Sequence, residues 1–295
     1  MKKISTAIII LNWNGLEDTK SCLRSLLKIT GVTYKVIIID NGSQNNEAFK
    51  LERIFGEEIE VHALEENIGF TGGVNYGIKV AQKYHPEYFL LLNNDTEVDK
   101  NFLKSLMTTA STDARIGIVS PIIYDYENRS KIIFSGGYIN WWLGKTFHNT
   151  DHIPYKKESK FITGCCLLIK RELIKKGGSL DDRFFAYFED AAYSISASLA
   201  GYKCICDPNS IIYHKQGAST EKTGVYKTYL ISRNRILFVN NYAPKIVRYY
   251  FIIFNLVKLL LVIIIFLTTG QWKRTYAYTK GYIDGTYGRG GKPTI

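Results

Sequence analysis

Asn93-Asn94-Asp95 closes the apolar run Tyr88-Phe89-Leu90-Leu91-Leu92. A strand with a buried body and a polar end delivers that end to the carboxyl edge of a sheet, where open α/β sheets bind ligands. One carboxylate beside an amide oxygen can hold Mg²⁺ or Mn²⁺ that substrate phosphates also bind. Asp95 and Asn93 are therefore candidate metal ligands. His214, after Ile211-Ile212-Tyr213, is a candidate third ligand. Each has a plainer reading: strand-end Asn and Asp also cap helices, and a lone His is commonly a satisfied polar residue.

Three further groups could do chemistry. Asp40 ends a second apolar run and precedes the turn Asn41-Gly42-Ser43, so it could hold a ribose hydroxyl or a base edge. The dinucleotide glycine fingerprint is absent, because Asn12-Trp13-Asn14-Gly15 follows the first strand instead. Asn67-Ile68-Gly69-Phe70-Thr71-Gly72-Gly73-Val74-Asn75 is glycine-rich and leads into a helix, a combination that favours anions. Glu189-Asp190 follows the aromatic run Phe184-Phe185-Ala186-Tyr187-Phe188. Apolar surroundings favour the neutral form of a carboxyl group, which is one way to tune a general base. An acidic pair at a helix start is also stabilised by the dipole.

The elements that position these groups follow from periodicity. Runs 6–11, 35–40, 59–64 and 88–92 read as strands. Segments 16–27, 71–83 and 100–111 read as helices. Such alternation implies βαβ units and a largely parallel sheet. In the second half, 116–123 and 161–169 read as strands, 135–142 as a loop, and 189–200 as a helix ending at Gly201.

With 295 residues the chain can bury a large core, and its formal net charge of +11 suits an anionic partner. No basic helix face points to nucleic acid, which is excluded as a partner. The five cysteines have neither disulfide-framework nor zinc-ribbon spacing. Met1-Lys2-Lys3-Ile4 leads directly into a strand, so no signal peptide is expected and the compartment reads as cytoplasmic. Residues 249–269 are almost wholly apolar, broken by Asn255, Lys258 and the final threonines. About 20 such residues span a bilayer. Lys258 near the centre, with Lys245, Arg248, Lys273 and Arg274 flanking, suits equally a helix lying in the cytoplasmic face, and the nearby tyrosines and Trp272 suit the interface. A buried core helix is the alternative.

The order of these motifs discriminates. Asp40 with its turn, the 67–75 loop, Asn93-x-Asp95, Thr163-Gly164-Cys165, Glu189-Asp190 and His214 together resemble glycosyltransferase family 2, in particular its rhamnosyltransferase-like branch. The resemblance runs from about residue 6 to 242, and Lys280-Gly281-Tyr282-Ile283-Asp284-Gly285 is similar to that branch's membrane-proximal ending.

The resemblance implies a GT-A fold: a Rossmann-like, mostly parallel sheet with flanking helices, followed here by a membrane-associated helical tail. It divides the chain into a catalytic domain, 1–242, and a membrane-associated region, 243–295. Residues 1–115 would bind the nucleotide-sugar and 116–242 the acceptor. It also implies a Mg²⁺- or Mn²⁺-dependent, inverting transfer from a nucleotide-sugar, with dTDP-rhamnose among the donors it admits, to a lipid-linked or cell-surface glycan at the cytoplasmic face of the membrane. Asp190 would be the base, with Glu189 as alternate. Asp95, Asn93 and His214 would hold the metal. Asn12, Asp40, Asn67, Gly69, Gly72, Gly73, Asn75, Asn94 and Arg235 would shape the donor site, and Arg233 could add charge at the phosphates. One departure stands out: the family often has Glu-Asp-x-Asp-Leu and a later Arg, whereas this chain has Ala192 and no such Arg. The competing readings are a sugar nucleotidyltransferase and a non-catalytic membrane-bound glycan- or nucleotide-binding subunit.

Overall fold

The computed structural model describes residues 4–215, 224–293 and 295; the first three residues of the strand entry lie outside that set. Isoleucine-rich β1 (Thr6–Asn12) and β2 (Tyr34–Asp40) are covered on both faces, because α1 (Leu16–Leu26), α2 (Glu47–Phe55) and α3 (Gly69–Ala81) pack beside them. β3 (Ile59–Ala63), β4 (Tyr88–Asn93), β5 (Thr96–Val98), α4 (Phe102–Ser111) and β6 (Ile116–Asp125) follow. Next come β7 (Ile132–Phe134), β8 (Gly137–Asn140), β9 (Lys145–His148) and β10 (Lys157–Ser159). β11 (Cys166–Lys170), α5 (Arg171–Gly177), α6 (Glu189–Leu199) and β12 (Lys203–His214) complete the sheet region. α7 (Gly224–Tyr242), α8 (Lys245–Thr268) and α9 (Trp272–Thr286) close the chain.

The main sheet has the order β10-β12-β6-β11-β4-β1-β2-β3, with β5 beside β12 and β7 beside β6. β1 to β4 are mutually parallel. β11 runs antiparallel between β4 and β6, and β12 runs parallel to β6. The carboxyl ends of β1, β2, β4 and β12 therefore share one edge, bringing Asn12, Asp40, Asn93 and His214 to it. The amino end of antiparallel β11 lies there too, so the Thr163-Gly164-Cys165 segment joins them.

Two sequence expectations are corrected. The strand expected over 161–169 begins only at Cys166; Phe161 instead forms a single bridge to Gly137, and the Cys165 carbonyl accepts from Asn93 N–H at 2.9 Å. The loop expected over 135–142 contains β8, which forms an antiparallel hairpin with β9. Its glycine and tryptophan content hid a strand whose partner sits beyond the turn.

α7 and α9 pack parallel through Gly281 and Gly285, one helical turn apart. A Cβ at Gly281 would lie 2.5 Å from the Tyr229 carbonyl, and one at Gly285 2.6 Å from that of Arg233, so only glycine permits this approach. α8 lies outside this pair. Val247, Phe251 and Asn255 near its start are buried. Beyond them it is largely exposed, with Val257 at 55% and Leu261 at 56%. Its 24 residues span about 36 Å, long and apolar enough to cross a membrane.

Candidate active site

A cleft of about 1000 Å³ opens at the carboxyl edge between the β4 end, the start of α6 and the beginning of α7. Asn67, Gly69, Asn93, Asp95, Glu189, Asp190 and His214 all line it, as do Gly164 and Cys165.

Asp95 and His214 meet because β5 and β12 pair antiparallel, with His214 opposite Thr96 and Lys215 N–H donating to the Asp95 carbonyl at 3.0 Å. His214 Nε2 lies 3.1 Å from Asp95 Oδ1. That oxygen is buried and has no hydrogen bond otherwise, the signature of an atom awaiting a cation or a proton. Burial by itself would lower the His214 pKa. Cys165 Sγ and the Asp95 carboxylate beside it outweigh this and push it up to about 11. A divalent cation competes with that proton for the same atoms. Among the described residues no group of three or more His, Cys, Asp or Glu side chains is gathered for a metal. The protein therefore offers two strong ligands with Asn93 nearby, an arrangement that fits Mg²⁺ or Mn²⁺ completed by phosphate and water.

Glu189 and Asp190 begin α6 after a strained turn. Tyr187 and Phe188 both adopt left-handed backbone, with φ of 71° and 73°, which costs on the order of 1 kcal/mol or more each. The buried Asn234 amide holds that turn by donating to the Ala186 and Tyr187 carbonyls, at 2.7 and 2.9 Å. Asp190 accepts from Gly164 N–H at 2.9 Å and from Ala191 N–H at 2.7 Å. Burial raises its pKa, and these two donors oppose the rise. Glu189 is 6% exposed, and its Oε2 has no partner. Burial first, and then the Asp190 charge, push its pKa up to about 8. Burial and the Asp190 charge favour the neutral form of Glu189, while the Gly164 and Ala191 N–H groups favour the charged form of Asp190.

The glycine-rich loop is shaped from behind. Ile68 N–H donates to Asn41 Oδ1 at 3.0 Å, Asn41 Nδ2 donates to the Gly69 carbonyl at 3.0 Å, and Gly69 N–H donates to Asn67 Oδ1 at 2.8 Å. Gly69 has a φ of +86°, and a Cβ there would sit 2.5 Å from the Phe185 carbonyl.

Several expected donor-site residues lie behind the cleft instead. Asn12 is buried and joins Asp40, Ser43 and Glu47. Asp40 is committed to Asn12 and Ser43 N–H and borders a separate shallow hollow of about 340 Å³. Gly72 and Gly73 seat α3 against Ile68 and Leu11. Asn75 fastens the 180–182 segment. Asn94 donates to Thr19 Oγ1 at 2.9 Å and so ties the β4 end to α1. Arg235 is corrected outright: it is buried between α7 and α8, where it bonds Asn255 and lies 5.7 Å over the Phe251 ring. Arg233 is likewise taken by Asn234 and the Gly291 carbonyl.

The model of glycosyl transferase family 2 matches residues 7–178, more than half of the chain. The protein belongs to glycosyl transferase family 2. It is a glycosyltransferase, moving a sugar from a nucleotide donor, and the nucleotidyltransferase reading falls away. Relatives similar to it include the low-salt glycan biosynthesis hexosyltransferase Agl10 of Haloferax volcanii, 25% identical over 81% of this chain and 76% of that one. N-acetylglucosaminyl-diphospho-decaprenol L-rhamnosyltransferase of Mycobacterium tuberculosis is 22% identical over 72% and 76%. Among solved structures, GalNAc-T7 with UDP, GalNAc and Mn²⁺ has a TM-score of 0.62 at 17% identity, covering 84% of this chain and 54% of that one. The mannosyltransferase PcManGT from Pyrobaculum calidifontis, with GDP-Man and Mn²⁺, has a TM-score of 0.57 at 10% identity, covering 97% and 88%. Both likenesses support the GT-A fold.

In this family 2 enzyme Ala192, which stands where an acid is common, is fully buried in the core behind α6 and does not line the cleft. Sequence reasoning missed Trp13, Tyr226, Lys227, Arg274 and Lys292 in the cleft and Asn234 behind it. Asn41 alone carried a signal, as a polar residue directly after a buried strand.

Proposed function

We propose that this enzyme is a metal-dependent, inverting glycosyltransferase. It moves a sugar from a nucleotide-sugar to a lipid-linked or cell-surface glycan acceptor at the cytoplasmic face of the membrane. The observation that carries the reading is Asp190, held by Gly164 N–H at the start of α6, in one cleft with the Asp95–His214 pair.

In this reading Asp95 and His214, helped by Asn93, hold Mg²⁺ or Mn²⁺. When bound, such an ion would supply positive charge toward the departing nucleoside diphosphate. Asn67 and Gly69 shape the sugar pocket, and Asp40 acts through the 40–43 turn. Asp190 accepts the acceptor hydroxyl proton as its oxygen bonds the anomeric carbon, while the bond to the diphosphate breaks on the opposite face. A single displacement of that kind inverts the centre. Buried Glu189 stays protonated and keeps the second charge away. Deoxysugar nucleotides such as dTDP-rhamnose fit this scheme. We assign catalysis to residues 1–242 and membrane contact to 243–295, because α8 exposes its apolar length. The rhamnosyltransferase relative, by its name, acts on a diphospho-decaprenol substrate, which supports a lipid-linked acceptor.

The test is thermal shift of the purified protein with UDP-, GDP- and dTDP-sugars, with Mn²⁺ and then with EDTA. Stabilisation by one donor is expected only with metal and is lost in Asp95→Asn. An equal shift in Asp95→Asn, or a shift that survives EDTA, overturns the metal-site assignment.

A further inference from the structure

α7, α8 and α9 run up, down and up, so the start of α7, the end of α8 and the start of α9 meet at one end. Phe266 and Tyr278 make ring contact at 6.2 Å there, and a Cβ on Gly224 would lie 3.3 Å from Arg274 Nη2. The mouth of the cleft is at this same end, lined by Tyr226, Lys227, Arg274 and Lys292. Immediately beyond it stand the exposed Ile264 and Ile265 of α8 and Trp272 and Tyr276 of α9, at 56%, 56%, 67% and 60% exposure.

Two of these cations have no carboxylate partner among the described residues. Lys227 Nζ lies 5.8 Å over the Tyr187 ring, and Arg274 Nη1 donates to the neutral Gln271 Oε1 at 2.7 Å. Among the described residues neither is within ion-pair distance of a carboxylate. Lys292 is different, since it reaches Glu66 Oε2 at 2.6 Å. The opposite wall carries Asp95, Glu189 and Asp190, so the cleft is acidic inside and basic at the junction with the apolar helix surface. A ligand matching this gradient has a sugar hydroxyl inside, a phosphate group at the mouth and an apolar chain along α8.

We propose that Lys227 and Arg274 bind the phosphate group that joins the acceptor's sugar to its lipid. This inference rests on the reading of the chain as a transferase with a lipid-linked acceptor. It adds the residues that recognise the acceptor's anionic link. The donor's diphosphate has the same chemistry, and the experiment separates the two sources.

The full-length protein in neutral phosphatidylcholine nanodiscs is titrated with geranyl diphosphate, and separately with UDP, GDP and dTDP in the presence of Mn²⁺. K227Q/R274Q is expected to weaken geranyl diphosphate binding about tenfold or more, from the loss of two charge-assisted contacts. The tightest nucleoside diphosphate should stay within about twofold. An unchanged geranyl diphosphate affinity, or no binding by the wild type, overturns the proposal. An equal loss of nucleoside diphosphate binding also overturns it, by giving the pair to the donor. Should the double variant not fold, R274Q alone is measured by the same criteria, since Arg274 is exposed. Asp95→Asn is the independent arm, expected to lose Mn²⁺-dependent nucleotide binding and to keep geranyl diphosphate. If nucleotide binding ignores Asp95→Asn, it is the donor-site reading that fails, not the acceptor site.

Discussion

Glu189→Gln is the perturbation with the clearest thermodynamic signature. The carboxyl group is 6% exposed, one oxygen has no partner, and burial with the Asp190 charge raises its pKa from 4.5 to about 8. Between these two pH values the folded chain keeps a proton that the unfolded chain has lost. Stability is therefore highest below the unfolded pKa and falls as pH rises to about 8. At about 1.4 kcal/mol per unit, a rise of roughly 3.5 units amounts to on the order of 4–5 kcal/mol. Glutamine fills the same space as the neutral acid and has no such dependence. For a chain of this size about 1 kcal/mol moves Tm by roughly 2 °C. The Tm advantage of Glu189→Gln over wild type should grow by roughly 5–10 °C between pH 5 and pH 8.5, read by scanning fluorimetry in detergent. Turnover separates the roles. Glu189→Gln retains Asp190 and should stay within about tenfold of wild type, while Asp190→Asn should lose about 10²–10⁴. Parallel Tm curves for wild type and Glu189→Gln would refute the burial argument, and the reverse order of activities would make Glu189 the base.

Gly281→Ala should destabilise the α7–α9 pair by about 1–3 kcal/mol despite the better helix propensity of alanine, because its Cβ would meet the Tyr229 carbonyl at 2.5 Å. Thermal melts check this, and an unchanged or higher Tm would show that the helices can separate freely. Val257→Asp with Leu261→Asp puts two charges on the exposed face of α8, at about 2.5–3.5 kcal/mol each if the helix enters hydrocarbon. Flotation with anionic vesicles should then shift the protein to the soluble fraction, and undiminished flotation would remove α8 from membrane contact.

Local pattern carried the first half of this enzyme. Buried strands in a parallel sheet are continuous apolar runs, so β1, β2 and β4 were readable, and their polar ends had to fall on one edge. That geometry placed Asp95, Asn93 and His214 in the cleft, and the helix-start pair Glu189-Asp190 followed from the aromatic run before it. Local pattern could not say which polar ends face the cleft. Asn12 and Asp40 satisfy each other beneath it, Asn94 turns to α1, and Arg235 spends its charge inside the α7–α8 contact. Each choice depends on a partner 28, 75 and 20 residues away, beyond any periodicity.

The same reason hid the mouth of the site. Lys227, Arg274 and Lys292 reach the cleft only because α9 folds back on α7 through Gly281 and Gly285, a contact made by the absence of side chains and so without a hydrophobic signal. The sequence by itself determined a parallel α/β sheet, its reactive edge and an apolar helix, because hydrophobic periodicity and strand termination are properties of neighbouring residues. The tertiary structure alone decided which of the polar residues share a cleft and which serve as struts, because hydrogen-bond satisfaction of buried groups is settled between elements, not within them.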